Sequence, residues 1–207
     1  MIKEYLLKNY GYNEPIFLNE LKIEELSENA VRQSIKRLKA NGFLERYDNG
    51  IYYIPKKGVI LEKSYLDPQL VIKRKYIQSK SETYGYITGI SFANQLGVTT
   101  QMPAVIEIVT NRESSNGRFV KIGNQKLRVK RTSINISKSN VEILQLIDSI
   151  GWIEQYSELP TQETINKIIE YIRSKKFTKN QLLEVSSYLT GATAKRLIEW
   201  GIIYEFA

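Results

Sequence analysis

Between residues 27 and 54 the hydrophobic period changes from that of a helix to that of a strand, and an Asn-Gly pair marks each break. Ser27 is placed to N-cap a helix running to about residue 40, where Asn41-Gly42 supplies a C-terminal stop. On that helix Val31, Ile35 and Leu38 follow i, i+4, i+7 spacing and form the stripe to be buried. Phe43-Leu44-Glu45-Arg46-Tyr47 and Ile51-Tyr52-Tyr53-Ile54 then flank Asp48-Asn49-Gly50, the residue types of two paired strands joined by a tight turn. A helix with one apolar stripe followed at once by a hairpin constrains this stretch to pack as one small unit.

The residues before it complete a recognisable order. Residues 2–9 read as a short helix with Ile2, Tyr5 and Leu6 on one face, ended by Gly11, and residues 16–21 fit one or two further helical turns. Helix, helix, helix and hairpin form the order of a winged helix-turn-helix. The face of the third helix opposite its stripe carries Asn29, Arg32, Gln33, Lys36 and Arg37, with Lys39 at the edge. All six are hydrogen-bond donors and none is acidic. At 1.5 Å per residue this helix is roughly 21 Å long, enough to lie in a major groove. Arg32, Gln33 and Lys36 suit base edges, Arg suiting guanine and Gln adenine, whereas Arg37, Lys39, Arg46 and Lys56 suit phosphates. A solvated basic face on a small domain reads the same way, and winged helices also serve as protein-interaction modules.

Charge divides unevenly along the chain. The 207 residues carry 30 Lys and Arg against 22 Asp and Glu, a net +8, with a sequence pI near 9.4. Cuts at Pro55-Lys56-Lys57-Gly58 and at Ser137-Lys138-Ser139 give a DNA-binding domain over 1–58 and an α+β region over 59–207, the latter with a basic sheet-containing part (59–138) and a helical part (139–207). These three stretches carry net charges of +2, +8 and −2. A basic surplus suits an anionic partner and equally aids solubility. The chain has neither His nor Cys, which excludes a disulfide framework, a thiolate nucleophile, an iron–sulfur site, a Ser-His-Asp triad and an imidazole proton shuttle. No apolar run approaches the roughly 20 residues of a membrane span, and the first fifteen residues are too short and too polar for a signal peptide. The expected compartment is the cytoplasm.

In the middle stretch, residues 66–77 look helical, with Asp67-Pro68 at the start, and residues 104–109 read as a buried strand. Residues 118–122 and 125–130 flank Gly123-Asn124, a good two-residue hairpin loop. That register sets Lys121 opposite Lys126 and Phe119 opposite Arg128. Lys121, Lys126, Arg128 and Lys130 then share one face, and Val120, Ile122, Leu127 and Val129 the other. Like charges directly opposite are destabilising by some tenths of a kcal/mol. The four cations are therefore a candidate patch for an anionic partner, whether operator phosphate or another acidic surface; an ordinary hydrated sheet face is the competing account.

The string YGYITGISFANQLGVTTQMP, residues 84–103, followed by a strand ending in Thr110-Asn111, resembles the Gly-Tyr…Thr-Gly…Ala-Asn…Gly…Thr-Thr-Gln…Pro pattern of AbiEi antitoxins. These belong to the abortive-infection, type IV toxin–antitoxin systems of bacteria. The resemblance implies an N-terminal winged helix-turn-helix with a mixed α/β C-terminal region. It further implies a repressor of its own operon that binds promoter DNA and neutralises a nucleotidyltransferase-type toxin, without a stable complex between the two. Gly85, Gly89 and Gly97 read as backbone requirements at turns or close packing.

Beyond residue 138 the apolar spacings are helical. Ile143, Leu144, Ile147 and Ile150 form one stripe, extended by Trp152 and Ile153, and Ile165, Ile168, Ile169 and Ile172 form a second. Thr178 to Gln181 is a capping box. A last helix over 192–200 stops at Gly201, and residues 202–204 are expected as a terminal strand. The sequence holds no Asp-x-Asp pair, no GxxxxGK[ST], no GxGxxG and no Gly-x-Ser-x-Gly, and its acids are scattered. The expectation is therefore an α+β protein ending in a helical bundle that binds DNA, with no catalytic residue, metal or cofactor. The alternatives are a winged-helix regulator unrelated to toxins and an interaction module that does not bind DNA.

Overall fold

Leu6, Val31, Ile35 and Leu38 meet in one apolar cluster with Ile16, Leu21, Leu44 and Ile54, and the N-terminal elements are arranged to bring them there. The computed structural model describes residues 2–24, 26–56 and 64–207. The chain divides into two units, residues 1–74 with 122–124, and residues 75–121 with 125–207. The expected cut at 58/59 lies outside the described residues.

In the first unit, α1 (Ile2–Asn9) closes where the Tyr10 and Gly11 N–H groups donate to the Leu6 carbonyl at 2.9 and 3.3 Å. Next comes β1 (Ile16–Phe17), then α2 (Glu28–Ala40). The Ser27 hydroxyl caps α2, accepting from the Ala30 N–H at 3.3 Å. β2 (Glu45–Asp48) and β3 (Ile51–Tyr53) form the hairpin, with a register shift between Arg46 and Asp48. The sheet order is β1-β3-β2. α3 (Pro68–Ile72) starts from Asp67, whose carboxylate accepts from the Gln69 N–H at 2.9 Å. It passes into a wider π-type turn at Lys73–Ile77.

One expectation is corrected here. Residues 16–21 are not helical turns. Ile16 and Phe17 pair with Tyr52 and Ile51, and the Leu18 N–H donates to the Gly50 carbonyl at 2.9 Å. That leaves one 3-10 turn, Leu18–Glu20. A β-branched and an aromatic residue fit the pleat beside β3, and both bury there. Two α-helices and a 3-10 turn therefore precede the hairpin, where three helices were expected.

The second unit is built on a four-stranded sheet. β4 (Gly85–Thr88) leads into α4 (Ile90–Gln95). β5 (Ile106–Thr110) starts two residues later than the expected strand and includes Thr110. β6 (Arg118–Ile122) and β7 (Gln125–Arg131) follow, and the order is β4-β5-β7-β6. β5 runs antiparallel to β4 and parallel to β7. Thr88 stands opposite Glu107, and Glu107 opposite Arg128, so these three side chains share one face. Ile108, Ile122, Leu127 and Val129 are buried on the other.

α5 (Val141–Ile150) is tied to β4, the Gln145 amide donating to the Ile87 carbonyl at 2.7 Å. α6 (Thr161–Lys175), α7 (Lys179–Glu184) and α8 (Gly191–Glu199) enclose a core with Ile143, Ile147, Ile165, Ile168, Leu182 and Leu197. The Thr178–Gln181 capping box is formed in both directions. The chain end is a second correction. Ile202–Glu205 is a 3-10 turn, not a strand. Gly201 at φ 66 turns the chain, Ile202 buries, and Ala207 exchanges backbone bonds with Phe177 and Lys179 at 3.2 and 3.1 Å. The apolar residue is thus buried without strand pairing. Among the described residues no helix is long and apolar enough to cross a membrane.

Candidate nucleic-acid interface

The buried stripe fixes the rotation of α2, with Val31, Ile35 and Leu38 at 3, 1 and 5% exposure. Its far side is thereby turned to solvent: Asn29, Arg32, Gln33, Lys36, Arg37 and Lys39 are all exposed. Arg32 makes only a long, exposed contact with Glu28 one turn earlier, at 3.8 Å, of a kind worth a few tenths of a kcal/mol. The side chains of the other five make no hydrogen bond or ion pair with a described residue. Glu28 in the first turn and Arg37 and Lys39 in the last also match the helix dipole, so these charges suit the helix as well as a ligand.

The hairpin candidates differ from each other. Arg46 is exposed, but its Nε–H donates to the Asp48 carbonyl at 3.2 Å and an Nη2–H to Asn49 Oδ1 at 2.9 Å. The guanidinium braces the turn across the bulge and retains three N–H groups for a ligand. Lys56 is exposed, and its backbone N–H donates to Ser64 Oγ at 2.8 Å, which holds the main chain beneath a side chain that pairs with no described acid.

In the second unit, burial alternates along β7 and over residues 120–122 of β6, while Arg118 and Phe119 are both exposed. Lys121, Lys126 and Arg128 are exposed, Lys130 is half-buried, and Ile122, Leu127 and Val129 are buried. The charge crowding has a local counterweight that sequence reasoning missed. Glu107 on β5 pairs with Lys130 at 2.5 Å and reaches Arg128 at 3.9 Å. Its only signal was a lone acid in an apolar strand. Lys121 and Lys126 have no ion pair with a described residue. Phe119 is exposed on the same side of the alternation.

Several polar residues of 84–111 are hydrogen-bonded within the fold. Gly85 allows close passage of main chains: a Cβ there would lie 2.0 Å from the Tyr76 carbonyl oxygen and 2.8 Å from that of Val109. Gly89 and Gly97 take φ values of 67° and 73°, which disfavour a side chain. The Glu158 carboxylate accepts from the Thr100 N–H at 2.7 Å and its hydroxyl at 3.0 Å, and these bonds hold it below the usual carboxylate range. Thr110 Oγ1 donates to the Tyr84 carbonyl at 2.8 Å. Asn111 bridges to Ile134 and Ile136 at 2.6 and 2.7 Å. These polar groups serve turns and loop anchoring. Among the described residues no group of three or more Asp, Glu, His or Cys is placed to hold a metal ion.

A family model described as a family of unknown function, DUF6088, matches residues 7–180. No curated protein matches the chain.

Proposed function

The chain belongs to the DUF6088 family, and we propose that it is a binding protein for double-stranded DNA that lays α2 in the major groove. One observation carries this reading: six exposed donor side chains stand opposite a stripe that the core holds in place. The helix, 13 residues long, spans about 20 Å. Arg32, Gln33 and Lys36 are assigned to base edges, Asn29, Arg37 and Lys39 to the groove walls, and Arg46 and Lys56 to phosphates beside the β2–β3 wing. In this reading the first unit is a winged helix-turn-helix whose second helix is reduced to the Leu18–Glu20 turn.

The resemblance of residues 84–111 to AbiEi antitoxins extends the proposal to a repressor of its own operon that counteracts a nucleotidyltransferase-type toxin without forming a stable complex with it. The experiment is fluorescence anisotropy on DNA from immediately upstream of the gene. Arg32→Ala and Lys36→Ala are expected to weaken specific binding with unchanged thermal unfolding. Wild-type affinity in both variants would reject the groove assignment. If the neighbouring gene encodes a nucleotidyltransferase, co-expression tests the antitoxin role, and growth arrest unrelieved by this chain would end it.

A further inference from the structure

Of the six phenylalanines, all among the described residues, only Phe119 is exposed, at 72%. It stands on β6 ahead of positions that turn inward, Val120 being half-buried and Ile122 buried on the opposite face. The strand therefore has an apolar side to offer, and Phe119 is on the other one. The side it occupies is the cationic one, with Lys121 two residues along the same strand and Lys126, Arg128 and Lys130 on the adjoining β7. Positions i and i+2 on a strand recur every ~7 Å, so the cations form a row beside the ring. Glu107 is the one carboxylate in contact with that row among the described residues, reaching Arg128 and Lys130 and leaving Lys121 and Lys126 uncompensated. Gly117 lies beside this row: a Cβ there would meet Arg128 Nε at 3.4 Å and Lys130 Cγ at 3.8 Å.

We propose that this β6–β7 face binds single-stranded nucleic acid, with a base stacked on Phe119 and the backbone phosphates on Lys121, Lys126 and Arg128. An exposed aromatic on a cationic sheet face offers a π-face and counter-charge together, which suits a strand whose bases are free to splay out. A duplex keeps its base faces stacked inside and has nothing to set against the ring. The site lies wholly in the second unit and is independent of the α2 reading.

The test uses the full chain carrying Arg32→Ala and Lys36→Ala, which removes the α2 contribution whether or not that reading holds. Fluorescein-labelled oligo-U, oligo-dT and a duplex of equal length are titrated at several salt concentrations. Single strands are expected to bind more tightly than the duplex. Phe119→Ala is expected to weaken them roughly tenfold or more without changing the salt slope, and Phe119→Trp to restore binding. Lys121→Ala with Lys126→Ala is expected to lower the slope by about 1.4. Preference for oligo-U assigns the face to RNA, and preference for oligo-dT to DNA. Failure of both single strands to bind, equal binding of the duplex, or full affinity in Phe119→Ala overturns the proposal. Thermal unfolding of Phe119→Ala, expected to be unchanged at so exposed a position, separates lost stacking from lost fold.

Discussion

Thr88 donates its hydroxyl hydrogen to the Asp148 carboxylate across 2.7 Å, a side-chain bond that joins the end of β4 to α5. Burial pushes the Asp148 carboxyl up from its ordinary range. The Thr88 hydroxyl, the positive charge of Lys130 and a bond from Trp152 oppose that rise, and the negative charge of Glu107 adds to it. The folded state thus holds this proton more tightly than the unfolded chain does. The stability linked to it is complete below the unfolded value of about 3.9 and is lost as pH rises through the folded one. Asp148→Asn keeps an acceptor for Thr88 and removes the ionisation. Its urea midpoint is expected to exceed the wild-type midpoint at neutral pH, with the gap closing below about pH 4. A gap that does not depend on pH would show that the Asp148 charge has no such cost.

Gly85 has two backbone oxygens where its side chain would be, and neither can move without shifting a strand or the turn at Tyr76. Gly85→Ala is expected to cost about 3 kcal/mol or more. Gly97 has nothing within 4 Å of a Cβ and only its positive φ of 73° to protect. Gly97→Ala should therefore cost about 1–2 kcal/mol. Thermal midpoints of the two variants measure the difference, and equal losses would contradict the close-approach account of Gly85.

Long stripes were legible in the sequence because a helix repeats its instruction every turn. Val31, Ile35 and Leu38, or Ile143, Leu144, Ile147 and Ile150, each name the same face several times over. Ile16-Phe17 was not legible, since a two-residue strand has no period and its partners, Tyr52 and Ile51, lie on a hairpin far along the chain. The parallel pairing of β5 with β7 was likewise hidden, being fixed by tertiary packing and not by a turn. The same distinction holds for the candidate sites. The exposed face of α2 follows from its own stripe, whereas the Glu107–Lys130 pair needs two strands distant in sequence to become neighbours. Glu158, which anchors Thr100, gave no local sign at all.

The cap on α2 links stability to the proposed interface. Ser27 Oγ accepts from the Ala30 N–H at 3.3 Å, and Asn29 and Arg32 project from the turns this bond secures. Ser27→Ala is expected to lower stability by about 1 kcal/mol. It should also raise amide hydrogen exchange in the first turn of α2 relative to its last. Uniform exchange across the helix would mean that the buried stripe alone holds that end.

Positions on α2 are expected to separate by the kind of contact each makes with DNA. Lys39, at the edge of the exposed face, faces phosphate in the proposed docking, so Lys39→Ala should weaken all duplexes alike and reduce the salt slope by about 0.9. Arg32 and Gln33 face base edges, and replacing either with Ala should cost about 1–3 kcal/mol on the specific site and narrow the gap to unrelated DNA. Arg46 holds its own turn through Asp48 and Asn49, so Arg46→Ala should lower both the thermal midpoint and DNA affinity, unlike the α2 variants. Anisotropy titrations across salt on specific and scrambled duplexes resolve the three classes. Identical behaviour of Lys39→Ala and Arg32→Ala would mean that α2 rides on the phosphates and does not enter the groove.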